Sequence, residues 1–277
     1  MITKLVINVG IPCMCMSKLT GSFTRGSLQE AGILLLVPVF VILFGLLASA
    51  IVAHFIKMPR KRRGVFLTMG AFSNSIFIGL TMCVELFGES AAAYVMSYYL
   101  AHTTLFQTIG IVLIESCGQQ EGRKKSLIMR VADLLKKPPL ISILLSLVII
   151  WFDIKLPIPI LSYMGYMGDI VSPLGLLYTG FIIYEYGIRN VRINRDLIAV
   201  MGLRFIIGPV LGMIVCSLLG VEGLARGVFI VLASLPTLTQ TVVLSTMLGA
   251  DEDFAAQGSA ITTIACFVVV PILMLII

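Results

Sequence analysis

Along the chain, apolar stretches of membrane-spanning length alternate with short polar turns, at 4–19, 31–56, 64–87, 91–115, 138–153, 160–184, 197–219, 227–248 and 255–277. A hydrocarbon core about 30 Å thick takes about 20 apolar residues as a helix, so the pattern predicts about nine spans, the first and fifth of them short. Residues 33–44 and 141–151 are apolar on every side. A membrane barrel would instead alternate apolar and polar positions over segments of about ten residues. The expected fold class is an all-α polytopic membrane protein, since every backbone polar group in lipid must be satisfied within the chain.

Composition agrees with this reading. Hydrophobic residues make up 58% of the 277 and charged residues 12%, more apolar surface than a water-soluble domain could cover. The net charge of +6 does not mark a nucleic-acid binder, because the basic residues divide by membrane side. Lys57, Arg60, Lys61, Arg62 and Arg63 follow the second span, Arg123, Lys124, Lys125, Arg130, Lys136 and Lys137 the fourth, and Arg189, Arg192 and Arg195 the sixth. With Lys4, that side holds 15 Lys and Arg, against four on the other (Lys18, Arg25, Lys155, Arg226). The richer side is expected to be cytoplasmic, which puts Met1 inside and Ile277 outside a plasma membrane such as a bacterial inner membrane. The Asp251, Glu252, Asp253 loop then also faces inward.

The chain repeats itself. Arg63-Gly64-Val65-Phe66 opens the third span and Arg226-Gly227-Val228-Phe229 the eighth, an offset of 163, and Pro12 matches Pro173 at an offset of 161. Asn8 and Asp169 each stand four residues before their proline. By the charge rule Arg63 starts its span from inside and Arg226 from outside, so the copies are inverted, and each needs an odd number of spans. The second copy, 138–277, holds five and the first, 1–115, holds four. A counterpart to the fifth span is therefore expected about 25 to 10 residues before Met1. Residues 116–137 read as a basic cytoplasmic linker with anionic lipid as neighbour.

Carriers of this construction bind substrate near the midplane, where corresponding helices of the two copies break. The third span carries Ser73, Asn74 and Ser75, and the eighth carries Pro236, Thr237 and Gln240. Proline removes a donor and obstructs the preceding turn, helix ends so freed can face an anion, and Asn and Gln amides can donate to a carboxylate. These six are the candidate substrate-binding residues. Asp169 lies about nine residues into its span, roughly 14 Å deep, and is the candidate proton or sodium coupling group. Arg204 joins it either as its partner or as a substrate ligand, or else its long stem reaches the interface. His102 could relay protons but reads better as a satisfied packing histidine. Gly208 and Gly212 form a GxxxG, most often a close helix contact.

Several classes drop out. The six cysteines show no disulfide framework or metal spacing. There is no phosphate loop and no HExxH, so no cofactor, metal or enzymatic activity is expected.

The Arg63-Gly64 entry, the 74–80 core Asn-Ser-Ile-Phe-Ile-Gly-Leu with Phe87-Gly88 after it, Lys137-Pro138-Pro139 and Pro236 resemble the auxin efflux carrier family, whose bacterial members are permeases for malate, malonate and similar acids. The resemblance implies ten helices in two inverted five-helix copies, crossed broken helices, and rocking or elevator-like alternation of access. It implies a secondary transporter for a small organic anion, with assembly as a homodimer compatible. A cation antiporter or bile-acid-type symporter on a similar scaffold, or a non-transporting remnant, is the alternative.

Overall fold

The structure, a computed structural model, describes residues 5–22, 24–26, 32–75, 78–88, 90–118, 138–171, 173–174, 177, 181, 184 and 194–275. Along the chain, a π-helical turn (Val6–Gly10) leads into α1 (Ile11–Ser22), followed by α2 (Gly32–Phe55), α3 (Arg60–Ala71), α4 (Gly79–Phe87) and α5 (Ala91–Leu105). A second π-helical turn (Phe106–Gly110) carries α5 into α6 (Ile111–Glu115), and α7 (Pro138–Trp151) and α8 (Ile158–Asp169) follow. Next, α9 (Arg195–Gly202) passes through a third π-helical turn (Leu203–Ile207) into α10 (Gly208–Leu218), and α11 (Gly223–Ala233), α12 (Gln240–Leu248) and α13 (Glu252–Met274) complete the order. The all-α reading holds, and the expected spans coincide with helix over their described residues; in the sixth, positions 172, 175, 176, 178–180, 182 and 183 lie outside the described residues. Among the described residues, three helices are long and apolar enough to cross a bilayer unaided: Leu34–Phe55, Arg195–Leu218 and Glu252–Met274. The third and eighth spans are each split in two, which is why neither counts as one long helix. Most of the 116–137 linker lies outside the described residues.

Two compact units form, residues 1–32 with 120–177, and 33–119 with 178–277. In the first, α1 packs against α7 and α8. Pro12 has no N–H to offer the Asn8 carbonyl, and the chain opens there into its π-helical turn. Gly168 lets α8 approach closely, since a Cβ there would stand 2.6 Å from Met14 Cα. Arg25 covers the Trp151 ring at 5.1 Å.

In the second unit, Val37 and Val41 of α2, Val95 and Tyr98 of α5, Val215 of α10, Phe229 and Leu232 of α11, and Cys266 and Val270 of α13 share one core. The opposite face of α2, including Leu36, Phe40, Leu43, Leu47 and Ile51, is exposed, as suits a helix solvated by lipid.

Three helix starts meet at one end of this unit. Arg62 at the head of α3 donates from Nε to Asp251 Oδ2 (2.8 Å) and from Nη1 to Asp196 Oδ2 (2.7 Å), and its Cζ lies 4.6 Å over the Phe254 ring. Asp251 also caps α13 by accepting from Phe254 N, and Asn194 caps α9 by accepting from Asp196 N and Leu197 N. Burial alone would lower the Arg62 pKa, but hydrogen bonds and charge from the two aspartates outweigh it and hold the guanidinium above its ordinary value. The acidic 251–253 loop, which has no basic residue of its own, thus borrows one from the second loop. Arg62→Leu removes both charged bonds and leaves Asp196, which is 7% exposed, with only the longer ion pair to exposed Arg195 at 3.5 Å. It is expected to cost about 2–4 kcal/mol, read as a lowered melting midpoint in detergent. An unchanged midpoint would show that this junction adds nothing to stability.

Candidate functional site

The two broken spans have one design: α3 and α11 each end in a short extended segment before α4 and α12 begin. In the second break, Pro236 cannot donate, and proline disfavours helical backbone at Leu235 before it. The first break has no proline. Its Ser-Asn-Ser run competes locally for backbone bonds, and Phe72 turns extended at φ −102° and ψ 129°. The segments cross as an antiparallel bridge between Ser73 and Thr237. Asn74 N donates to Pro236 O at 2.9 Å and Leu238 N to Phe72 O at 3.3 Å.

Each break also hands one N–H to a side chain of a neighbouring helix. Ser73 N donates to His102 Nε2 at 3.0 Å, and Thr237 N to Thr262 Oγ1 at 3.2 Å. The Thr262 hydroxyl donates onward to Gly258 O at 2.7 Å. Accepting at Nε2 makes His102 a neutral imidazole whose proton sits on Nδ1, so it serves as a backbone cap. Phe72 packs edge-on against His102 and against Phe106.

All six candidate binding residues therefore lie in or immediately after the crossing. Ser73, Asn74, Pro236 and Thr237 form it, Ser75 follows within the same turn, and Gln240 is the first residue of α12. Ser73, Asn74, Ser75, Thr237 and Gln240 are all buried. Asn74 Nδ2 donates to Thr239 Oγ1 at 3.3 Å, while Asn74 Oδ1 and Thr241 Oγ1 have no protein partner.

Arg204 is 2% exposed and does not turn toward the helix end. Its guanidinium donates from Nε and Nη2 to Leu235 O (2.8 and 2.7 Å), from Nη2 to Ala233 O (2.9 Å) and from Nη1 to Gly70 O (3.4 Å). It thus neutralises the carbonyl ends of α3 and α11. Asp169 belongs to the other unit, where its exposed side chain accepts from Lys18 Nζ at 2.9 Å. Each residue of the suggested pair thus has partners within its own unit.

Sequence reasoning missed Gln107. It is 2% exposed, lies in the second π-helical turn directly after Phe106, and both its amide atoms lack a protein partner. Buried amides are rarely left so, and π-helical turns gather at functional sites. A glutamine in the middle of a predicted span was the available signal.

Residues 1–274 match the model of a family described as membrane transport protein. An uncharacterized transporter of Methanocaldococcus jannaschii is 25% identical over 95% of this chain and 84% of its own length. An uncharacterized transporter of Methanothermobacter thermautotrophicus is 26% identical over 98% of this chain and 86% of its own length.

Proposed function

Because the chain belongs to the membrane transport protein family, the auxin efflux carrier group its motifs resemble, we propose that it is a secondary carrier moving a small organic anion, of the malate or malonate class, across the plasma membrane. The observation that carries this reading is the asymmetry of the crossing. Arg204 neutralises the carbonyl ends of the two leading half-helices. The half-helices α4 and α12, whose amino-terminal ends carry partial positive charge, begin after the two breaks, which hold the buried amides of Asn74 and Gln240. Among the described residues the only other buried charge is Asp196, which Arg62 engages. An anion suits such a site, and a cation finds no carboxylate there.

In this proposal the two breaks are the same element of two inverted copies, four spans and five, with Met1 cytoplasmic. The substrate carboxylate binds at the crossing through Asn74, Gln240 and the flanking hydroxyls of Ser73, Ser75 and Thr237, and the Pro236 break keeps the amino-terminal end of α12 aimed at it. Asp169 with Lys18 is the proposed coupling group, taking up a proton. The test is uptake of labelled malate, malonate and lactate into proteoliposomes, with and without a pH gradient and with and without sodium. Accumulation of at least one acid is expected, and no uptake of any would overturn the reading. Asp169→Asn is expected to leave the protein folded and to remove the dependence of accumulation on the driving gradient. Unchanged gradient dependence would take Asp169 out of coupling.

A further inference from the structure

Where α3 and α11 end, their leftover carbonyls converge on a single cation. Gly70 O, Ala233 O and Leu235 O receive the Arg204 guanidinium at distances between 2.7 and 3.4 Å. Each helix C-terminus carries about −0.5 of an elementary charge, so two ends together approach one negative charge, which a single guanidinium balances. In carriers built on broken helices, freed carbonyls of this kind are the ligands of the coupling sodium ion. We infer that the carbonyl cradle at the crossing is a monovalent-cation site permanently filled by Arg204, so that sodium does not bind there and transport runs without a sodium gradient.

Three features support permanent occupancy. A guanidinium has five N–H donors, and the three bonds to Leu235 and Ala233 with the longer one to Gly70 engage four of them, leaving too few to clamp a substrate carboxylate through two. Among the described residues Arg204 forms no ion pair, so no acid competes with the carbonyls for it. The backbone is also shaped to bring the group in. Arg204 sits in the third π-helical turn, and Gly208 just after it lies so close to α11 that a Cβ there would stand 2.5 Å from Ala233 O. An arginine buried within a span is costly in a membrane unless it is compensated, and the two helix ends supply that compensation.

The consequence for transport rests on the anion-carrier reading, but occupancy of the cradle does not, and the test separates them. Wild-type protein in detergent is expected to melt at one temperature in sodium, potassium or choline chloride of equal ionic strength. Arg204→Ala empties the cradle and is expected to melt lower by about 5 °C or more, and to recover selectively on addition of sodium or millimolar methylguanidinium. Selective stabilisation of the wild type by sodium would overturn the inference, as would an Arg204→Ala protein that melts like wild type or that no small cation restores. If the alanine variant cannot be purified, Arg204→Lys retains a cation with fewer donors and is expected to fold and remain indifferent to sodium; a sodium response in it would count against permanent occupancy. In proteoliposomes, replacing sodium by choline is expected to leave uptake within about twofold, and a loss of about tenfold would overturn the inference. If no anion is carried in either medium, the anion-carrier reading fails while the melting comparison still decides the cradle.

Discussion

Asn74→Ala is expected to lower uptake efficiency by about 10- to 100-fold while the melting midpoint stays close to wild type. The separation follows from which atoms of Asn74 do what. Its main-chain N–H donates to Pro236 O and holds the crossing, and alanine keeps that bond. Its side chain makes one longer contact, to Thr239 Oγ1 at 3.3 Å, and buries an Oδ1 with no protein partner. The amide is therefore available to substrate, and a hydrogen bond to a charged group is worth about 1.5–3 kcal/mol, which gives the range quoted. Wild-type uptake kinetics in Asn74→Ala would remove this residue from the binding site. A collapsed midpoint would instead make it a structural residue.

The largest stability effect is expected at Gly64. A Cβ there would run into the Leu113 carbonyl and come within 2.8 Å of Cys117 Sγ, which already accepts from Gly64 N. A backbone carbonyl cannot rotate away as a side chain can, so Gly64→Ala is expected to cost about 3 kcal/mol or more. The matched Gly227 provides the control. A Cβ there would meet only the Phe87 ring, at 3.2 Å, and Gly227→Ala is expected to stay within about 1 kcal/mol of wild type. Equal melting midpoints for the two variants would show that the α3 and α6 backbones are not in the contact described.

These two glycines mark the boundary of what the amino-acid order made legible. The repeated Arg-Gly-Val-Phe pointed to equivalent helix starts, and the structure places such a start at each, yet only one lies against a neighbouring carbonyl. Apolar length located the spans because burial in lipid is decided residue by residue. The polar runs at 73–75 and 236–240 located the crossing because groups that compete with a helix gather where it breaks. Partners distant in sequence were not legible. Nothing near position 204 announces that its donors close on Ala233 and Leu235, and nothing near 102 announces that its ring replaces a proline by accepting the Ser73 N–H. The π-helical turns holding Gln107 and Arg204 were equally hidden, since each depends on tertiary packing and not on local propensity. Asp251 was read as an inward-facing acid without a nearby base, and that base, Arg62, is 189 positions away.

The bridge between Ser73 and Thr237 is made of main-chain atoms: Asn74 N with Pro236 O and Leu238 N with Phe72 O. None of these bonds depends on which side chain a position carries, beyond the requirement for a donor at 74 and 238. The joint can therefore be inherited unchanged while the residues around it drift. On the proposed anion-carrier reading, a lineage could exchange one acid for another by point substitutions at 73, 75, 237 or 240 without first passing through an unfolded ancestor, so descendants of one carrier can diverge in diet while sharing a chassis.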